Sequence, residues 1–274
     1  MKPNRSDDGP AILLLHGFPF DRSMWREQID FLSAHGCRAI APDLRGLGDT
    51  YDKLQFATDV GHSKSERQAE PYRTVTTMED MARDVGALMD ELEIDYATVC
   101  GLSMGSYVAF EFVHLFPARV RALVLAGARA QGADEAERKS REDKARDVLN
   151  DGIGPVVEAM LPGLLAPKTL AEKPAVVARV REMILRTNPH GAAAAQRGMA
   201  ARRDYSADLL DIKVPTLIIA GREDVVRKPQ DAELIHRGIT KSVLEIIDDA
   251  GHLMNMEQPE IFNKVLTDFL GRLG

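Results

Sequence analysis

A serine with a glycine two residues away on either side lies where an apolar run gives way to a helical pattern. Residues 101–105 read Gly-Leu-Ser-Met-Gly and follow the apolar run that ends at Cys100. In a tight strand-to-helix turn the central serine has a strained backbone, and the two glycines remove clashes with the adjoining strand and helix. Such a nucleophile elbow presents the hydroxyl for attack on a carbonyl carbon. We therefore predict that Ser103 is a nucleophile.

A serine hydroxyl needs a general base to accept its proton and an acid to orient that base. In chains with this elbow the acid and then the histidine follow the serine, each after a later strand. His252 follows the last apolar run and is the predicted base. The candidates for the acid are Glu223, Asp224, Asp248 and Asp249. Asp224 is favoured because it ends the turn after the fifth apolar run, whereas the last two acids lie too close to the histidine in sequence.

Acyl transfer also requires hydrogen-bond donors for the oxyanion of the tetrahedral intermediate. One backbone N–H comes from the residue after the nucleophile, here Met104, and another from the loop after the first parallel strand. In that loop Pro19 has no N–H to donate, so Phe18 is the predicted second donor. His16, at the start of the loop, is expected to brace it.

Six short runs rich in Val, Ile and Leu are the predicted strands that carry these loops. The first five do not alternate polar with apolar residues, which is typical of a parallel sheet covered on both faces. The sixth alternates in part, which suits a sheet edge. The runs cover residues 11–15, 38–41, 97–100, 122–126, 216–220 and 243–247.

Helical patterns separate the strands. Apolar residues recur at spacings of three and four from Met78 to Leu92, and Thr76 and Glu79 match a capping box at the start. Further helices are predicted at 104–116, 230–237 and 258–273. Strands that alternate with helices predict an α/β fold with a doubly wound, mostly parallel sheet.

A long stretch after the fourth predicted strand contains no strand pattern. It is too long for a plain loop in a compact domain, so we divide the chain into a core of residues 1–128 and 206–274 and a helical subdomain of residues 129–205. The dense charge of residues 133–146 favours a solvent-facing surface over a binding surface. The polar stretch at 49–75 is predicted to be a surface loop.

Composition excludes several classes of protein. The 274 residues carry a formal charge of −7, which disfavours nucleic acid and anionic membranes as partners. Two cysteines, Cys37 and Cys100, are too few for a disulfide framework or a four-ligand zinc site, so no metal is expected. The N-terminus carries acids where a signal peptide needs apolar residues. We expect a cytoplasmic protein whose partner is a small molecule.

Five ordered motifs resemble those of the α/β-hydrolase fold superfamily, in its branch of small serine esterases, enol-lactone hydrolases and haloperoxidase-like perhydrolases. They are His-Gly-Phe-Pro-Phe-Asp at 16–21 with Met-Trp at 24–25, Pro-Asp-Leu-Arg-Gly-Leu-Gly at 42–48, the elbow, Gly-Arg-Glu-Asp at 221–224 and Gly-His-Leu-Met-Asn-Met-Glu-Gln-Pro at 251–259. The resemblance implies a triad of Ser103, Asp224 and His252, oxyanion donors at Phe18 and Met104, and no cofactor.

The same resemblance implies that residues 129–205 form a helical cap, inserted after the fourth parallel strand, that covers the pocket. Only 15 residues precede His16, so the two antiparallel strands that usually open the sheet in this family are expected to be missing or reduced. The polar stretch that ends at Val75 is longer than the usual link in the family.

The serine at the elbow favours attack on a carbonyl, since the haloalkane dehalogenases and epoxide hydrolases of the superfamily carry aspartate there. We expect a carboxylesterase that cleaves small, mainly apolar esters through an acyl-enzyme. Trp25 is a candidate for the substrate pocket. Apolar cap residues are expected to line it as well, namely Ile153, Val156, Met160, Leu161, Leu164 and Leu165.

Two alternatives remain open. The first is a lactone (enol-lactone) or carbon–carbon bond hydrolase of aromatic degradation. Its substrates would carry carboxylates and require an arginine in the pocket, for which Arg129, Arg186 and Arg202 are candidates. The second is a non-catalytic ligand-binding protein on the same fold.

Overall fold

The computed structural model describes residues 9–50 and 74–273. Residues 1–8 and most of the predicted surface loop at 49–75 therefore lie outside the described residues.

A six-stranded sheet forms the centre of the fold, in the order β2-β1-β3-β4-β5-β6. Every pairing is parallel, and within the described ranges no antiparallel strand extends the sheet. The predicted strands are confirmed, and β6 lies at an edge, as its partial alternation predicts. The strands are β1 (Ala11–Leu15), β2 (Arg38–Ile40), β3 (Ala97–Leu102), β4 (Val120–Ala126), β5 (Thr216–Gly221) and β6 (Ser242–Ile247).

Helices connect the strands. Those of the core are α1 (Arg26–Ala34), α2 (Met78–Glu91), α3 (Met104–Leu115), α9 (Pro229–Gly238), α10 (Met254–Glu257) and α11 (Pro259–Gly271), with short 3-10 turns at Arg22–Trp25, Pro117–Arg119 and Leu209–Asp211. Across residues 9–50 and 74–273, no helix combines the length and the apolar character that a membrane crossing requires.

Successive residues of the central strands enter two separate hydrophobic cores. Val99 of β3 belongs to the core formed with α2, α3 and α9. Its neighbour Cys100 belongs to the core on the other face, formed with α1 and α11. Because both faces are covered, the strands need no polar residues in alternate positions. The doubly wound α/β architecture is thus confirmed.

The capping box of α2 lies one residue later than predicted. Thr77, not Thr76, is the N-cap, and its Oγ1 accepts the N–H of Asp80 at 3.0 Å. The carboxylate of Asp80 accepts the N–H of Thr77 in return, also at 3.0 Å. Thr76 is buried and donates its own N–H to the carbonyl oxygen of Ala194 at 3.1 Å. This hydrogen bond holds Thr76 outside the helix, so the capping box consists of Thr77 and Asp80 and not of Thr76 and Glu79.

Five helices lie between β4 and β5, where the helical insertion is predicted. The first two, α4 and α5, lie over the carboxyl ends of the strands and line a cavity there. The five are α4 (Glu135–Asp151), α5 (Gly154–Leu164), α6 (Pro167–Glu172), α7 (Pro174–Leu185) and α8 (Pro189–Ala201). The fold therefore consists of a parallel sheet with a helical cap inserted after the fourth strand.

Candidate active site

Ser103 occupies the turn between β3 and α3. Its φ of 56° is strained for a residue other than glycine. A Cβ on Gly101 would lie 2.1 Å from the carbonyl oxygen of Gly105, and a Cβ on Gly105 would lie 2.1 Å from that of Leu15. Both positions therefore exclude side chains, which allows α3 to begin directly against β1 and β3. This is the strand–turn–helix geometry that the elbow predicts.

The imidazole of His252 contacts Asp224, and both side chains are buried. Nδ1 of the histidine lies 2.7 Å from Oδ2 of the carboxylate. The other oxygen, Oδ1, accepts the N–H groups of Val226 and Arg227, each at 2.8 Å. Since the carboxylate is held by the backbone and engages Nδ1, Nε2 is the ring nitrogen left to accept a proton.

The other acid candidates make different contacts. Asp248 pairs with Arg222, and the carboxylate of Asp249 lies 2.6 Å from Nζ of Lys168. Glu223 contributes a backbone N–H to the carbonyl oxygen of Ala250 at 3.0 Å. Of the four candidates, Asp224 is the one whose hydrogen bond to His252 is observed in the described part of the chain.

The two predicted oxyanion donors lie near Ser103: Met104 follows it in the chain, and Phe18 belongs to the loop in which a Cβ on Gly17 would lie 3.4 Å from the Cβ of Ser103. Met104 is the first residue of α3, and N–H groups in the first turn of a helix have no partner within the helix. Phe18 lines the same cavity as Ser103. The N–H groups of Phe18 and Met104 are absent from the backbone hydrogen bonds that the turns, loops and helix caps of residues 9–50 and 74–273 make.

His16 links the Phe18 loop to the next loop of the sheet. Its Nδ1 lies 2.9 Å from the carbonyl oxygen of Gly17, and its Nε2 accepts the N–H of Leu44 at 2.9 Å. The ring is completely buried, and this burial lowers the pKa of His16. A neutral ring is what allows Nε2 to accept a hydrogen bond. The contacts agree with the expected bracing role.

A cavity of about 810 Å³ lies above the carboxyl ends of the strands, and Phe18, Ser103 and His252 all line it. In parallel α/β sheets this edge is where ligands bind. One wall is apolar and comes from α5, with Val156, Met160 and Leu164 as expected. Ile153, Leu161 and Leu165 were also expected there, but they do not line the cavity and instead pack in or against the hydrophobic core.

The family follows from a direct match. A family model described as alpha/beta hydrolase fold matches residues 10–259. The chain belongs to the α/β-hydrolase family.

Three proteins similar to this α/β hydrolase are named as an esterase or as enol-lactonases. The 3-oxoadipate enol-lactonase 2 of Acinetobacter baylyi is 27% identical over 265 residues, which cover 97% of this chain and 90% of that protein. A malate-bound thermophilic esterase from Thermogutta terrifontis is 36% identical with a TM-score of 0.86, over 97% of this chain and 90% of that one. The enol-lactonase of Burkholderia xenovorans is 27% identical with a TM-score of 0.82, over 98% and 94%. The chain is accordingly a hydrolase of the α/β fold.

The cap of this α/β hydrolase also presents charge to the cavity, contrary to the solvent-facing surface predicted for residues 133–146. One side of α4 forms a cavity wall, which continues with Arg129 before α4 and Arg227 after β5. The α4 residues of this wall are Ala136, Glu137, Ser140, Arg141, Lys144, Asp147 and Val148. The polar helix lacked an apolar stripe from which its orientation could be inferred.

Three residues considered for the pocket of this α/β hydrolase lie elsewhere. Trp25 is fully buried in the hydrophobic core formed with α1 and α11, and its ring centroid lies 6.0 Å from that of Phe262. It does not line the cavity, so the expectation that it contacts substrate is wrong. Arg186 is exposed and lies 3.3 Å from Asp21. Arg202 is buried and does not line the cavity. Arg129 does line it, and an arginine in the pocket is what the lactone or carbon–carbon bond hydrolase alternative required.

The cap of this α/β hydrolase is joined to the loop of His252 by hydrogen bonds that sequence reasoning missed. The carbonyl oxygen of Leu164 accepts the N–H of His252 at 3.0 Å. The buried carboxylate of Glu257 accepts the N–H of Gly251 at 2.8 Å and that of Ala166, in the cap, at 2.7 Å. Burial raises the pKa of Glu257. The sequence feature that could have indicated this contact is the acidic residue at position 257, which follows mainly apolar residues in the 251–259 motif.

Proposed function

We propose that this hydrolase cleaves carboxylic esters and lactones with Ser103 as the nucleophile. The observation that carries the proposal is the turn at Ser103, with its φ of 56°, on the floor of a cavity that His252 also lines. A strained serine beside an imidazole that is oriented by a buried carboxylate is the arrangement needed to activate a hydroxyl.

The proposed reaction has two steps. His252 removes the proton of Ser103 at Nε2 as Oγ attacks the carbonyl carbon, and the N–H groups of Phe18 and Met104 stabilise the oxyanion. The tetrahedral intermediate collapses, and the imidazolium protonates the leaving alkoxide. Water then attacks the acyl-enzyme by the same route and releases the acid. Asp224 holds the tautomer with the proton on Nδ1 and stabilises the imidazolium.

A lactone fits the same mechanism. Its ring ester opens on attack, and the alcohol remains covalently attached to the acyl chain. Water then cleaves the acyl-enzyme and releases a single product, the hydroxy acid. The names of the enol-lactonase relatives and the presence of Arg129 on the cavity wall support including lactones in the proposed substrate class.

The decisive experiment compares wild type and Ser103→Ala on a panel of p-nitrophenyl esters and of five- and six-membered lactones. Removal of a triad nucleophile is expected to lower kcat by about 10⁶-fold. A fluorophosphonate should label the wild-type protein on the peptide that contains residue 103, with loss of fluoride. Ser33→Ala, in the exposed part of α1, is the matched control and should retain wild-type rates and labelling.

Equal turnover by wild type and Ser103→Ala would reject the nucleophile. No turnover of any ester or lactone, combined with no labelling, would instead favour the non-catalytic ligand-binding alternative. The ratio of ester to lactone turnover would decide between the two halves of the proposed substrate class.

A further inference from the structure

Four arginines surround one glutamate at the charged wall of the cavity. Arg141 and Arg202 are hydrogen-bonded to Glu137, with Nη2–Oε distances of 2.8 and 2.9 Å. Arg129 and Arg227 lie farther away, each with a guanidinium nitrogen 3.7 Å from a carboxylate oxygen of Glu137. The group therefore has more positive than negative charge, and all of its members except Arg202 line the cavity.

This charge is largely removed from water. The side chains of Arg141 and Arg227 are each 13% exposed, and that of Arg202 is not exposed at all. The exposed residues Asp134, Lys144 and Asp147 line the outer part of the cavity. Buried charges are costly unless opposite charges neutralise them. Among the described residues, Glu137 is the one carboxylate within ion-pair distance of the four guanidinium groups, and Asp204 and Asp231 act on Arg129 and Arg227 electrostatically without an ion pair.

The pKa values of Glu137 and Arg141 reflect these contacts. Partial burial disfavours the ionised form of Glu137, but hydrogen bonds and charge from Arg202 and Arg141 outweigh it and lower the pKa of Glu137 to about 2. Burial lowers the pKa of Arg141, and the neighbouring charge of Arg202 adds to the effect. The glutamate is thus fully ionised at neutral pH. Burial opposes the charge of Arg227, but Tyr107 and Glu137 outweigh burial and raise the pKa of Arg227.

Within residues 9–50 and 74–273, some N–H donors of Arg227 have no hydrogen-bond partner. Its Nε donates to the hydroxyl of Tyr107 at 3.0 Å, and its Nη1 donates to the carbonyl oxygen of Val226 at 2.9 Å. Nη2, at 3.7 Å from Glu137, is beyond hydrogen-bond distance. A guanidinium has five N–H donors in a planar fork that matches a carboxylate. The donors left over on the cavity side are suited to a second carboxylate.

We propose that Arg129, Arg141 and Arg227 bind a carboxylate of the substrate, so that the preferred substrates are esters or lactones that carry a free carboxylate at the end remote from the reacting carbonyl. The reacting carbonyl lies at Ser103, the apolar wall of α5 accepts the methylene chain, and the arginine group binds the far end. Of these three arginines, Arg141 already donates Nε and Nη2 to one oxygen of Glu137, and the guanidinium groups of Arg129 and Arg227 approach the same carboxylate without a hydrogen bond. This inference rests on the proposed function for the reacting end only.

The test uses pairs of substrates that differ in one charge. Monoethyl and diethyl esters of the straight-chain diacids from succinate to suberate are hydrolysed in a pH-stat, and the ratio of kcat/KM for monoester to diester is measured at each length. A charged hydrogen-bonded contact is expected to favour the monoester by about 10- to 100-fold at the optimal length. The preference should fall as salt is raised. A wild-type preference for the diester at every length would overturn the proposal.

Two substitutions of opposite sign separate substrate binding from a structural role. Arg227→Gln should lower the ratio by about tenfold, mainly through KM, and Arg129→Gln should lower it as well. Glu137→Gln should raise the ratio, because it removes a competing carboxylate. Lys139→Gln, an exposed residue of α4 paired with Asp143, is the control and should leave the ratio unchanged. Arg227→Gln and Glu137→Gln shifting the ratio in the same direction would contradict the proposal.

A binding experiment separates this inference from the proposed function. Adipate dianion and the neutral adipamide are titrated into the Ser103→Ala protein and into Ser103→Ala combined with Arg227→Gln, by calorimetry. Adipate binding that is weakened by Arg227→Gln supports the carboxylate site even if no ester is hydrolysed, in which case only the proposed function fails. Hydrolysis without monoester preference, together with no adipate binding, rejects the carboxylate site and leaves the proposed function standing.

Discussion

The backbone N–H of Arg227 donates to Oδ1 of Asp224 at 2.8 Å, while the guanidinium of the same residue lies on the cavity wall. One residue therefore holds the acid that contacts His252 and also supplies part of the positive charge near the cavity. Because the contact to Asp224 is made by the main chain, substitution of the Arg227 side chain leaves this bond available.

Replacement of Asp224 by asparagine should reduce catalysis with little change in shape. The amide keeps the size of the carboxylate but no longer favours the Nδ1-protonated tautomer or stabilises the imidazolium, so we expect kcat to fall by about 10⁴-fold. Steady-state kinetics on the best ester measure the effect. Asp248→Asn, at an exposed acid paired with Arg222, should retain activity, and equal losses in both variants would argue for a general charge effect.

A methyl group at Gly105 should disrupt the elbow. The added Cβ would lie 2.1 Å from the carbonyl oxygen of Leu15, so β1 and α3 must separate. We expect Gly105→Ala to lower the free energy of unfolding by at least about 2 kcal/mol and to remove most activity. Denaturant titration gives the first quantity. Gly271→Ala, where a Cβ would have no neighbour within 4 Å, should be neutral or stabilising, and unaltered stability of Gly105→Ala would refute the steric argument.

The buried imidazole of His16 should make stability depend on pH. Burial lowers the pKa of His16, so below about pH 6.5, the ordinary pKa of histidine, the unfolded chain binds a proton that the folded protein does not. Stability from this residue is thus present above that pH and decreases below it, by at most about 1.4 kcal/mol per pH unit.

The measurement compares wild type with His16→Gln by chemical denaturation at pH 7.5 and pH 5.5. The variant should be less stable at both values, and its deficit should be larger at pH 7.5. His35→Gln, which replaces an exposed histidine at the end of α1, is the control. A deficit of equal size at the two pH values would show that His16 contributes through packing alone.

Glu257 should affect activity without touching the cavity. Its two carboxylate oxygens accept N–H groups from Gly251 and Ala166, and a glutamine can accept only one of them. We expect Glu257→Gln to lower the free energy of unfolding by about 1–3 kcal/mol and to lower kcat, since His252 follows Gly251 directly. Glu260→Gln, at an exposed position of α11, should behave as wild type. Full activity in Glu257→Gln would mean that the His252 loop is held by its other bonds.

The features that the sequence predicted well are those with a short-range cause. Gly101 and Gly105 identify the elbow because the steric requirement acts within five residues, and the strands follow from uninterrupted apolar runs. The position of Asp224 follows from its turn after β5. Each of these depends on neighbours along the chain, so a single sequence contains the information.

The features that the sequence did not predict depend on contacts between distant segments. The orientation of α4 follows from packing against α8, and its charged residues do not indicate which side faces the cavity. Trp25 adjoins the motif at residues 16–21, yet the 3-10 turn Arg22–Trp25 directs its side chain into the hydrophobic core formed with α1 and α11. The start of α2 was one residue off because Thr76 is bound to Ala194, a contact between segments more than a hundred residues apart.

The attachment of the cap to the His252 loop has a consequence for how such a protein can diversify. Leu164 and Ala166 contribute main-chain groups, a carbonyl oxygen and an N–H, which almost any residue can supply. The side chains of the cap can therefore change without loss of the main-chain hydrogen bonds that hold the loop of His252. A protein engineer could exchange the lining of α4 and α5 for a new specificity, provided that the backbone path from 164 to 166 and the acid at 257 are kept.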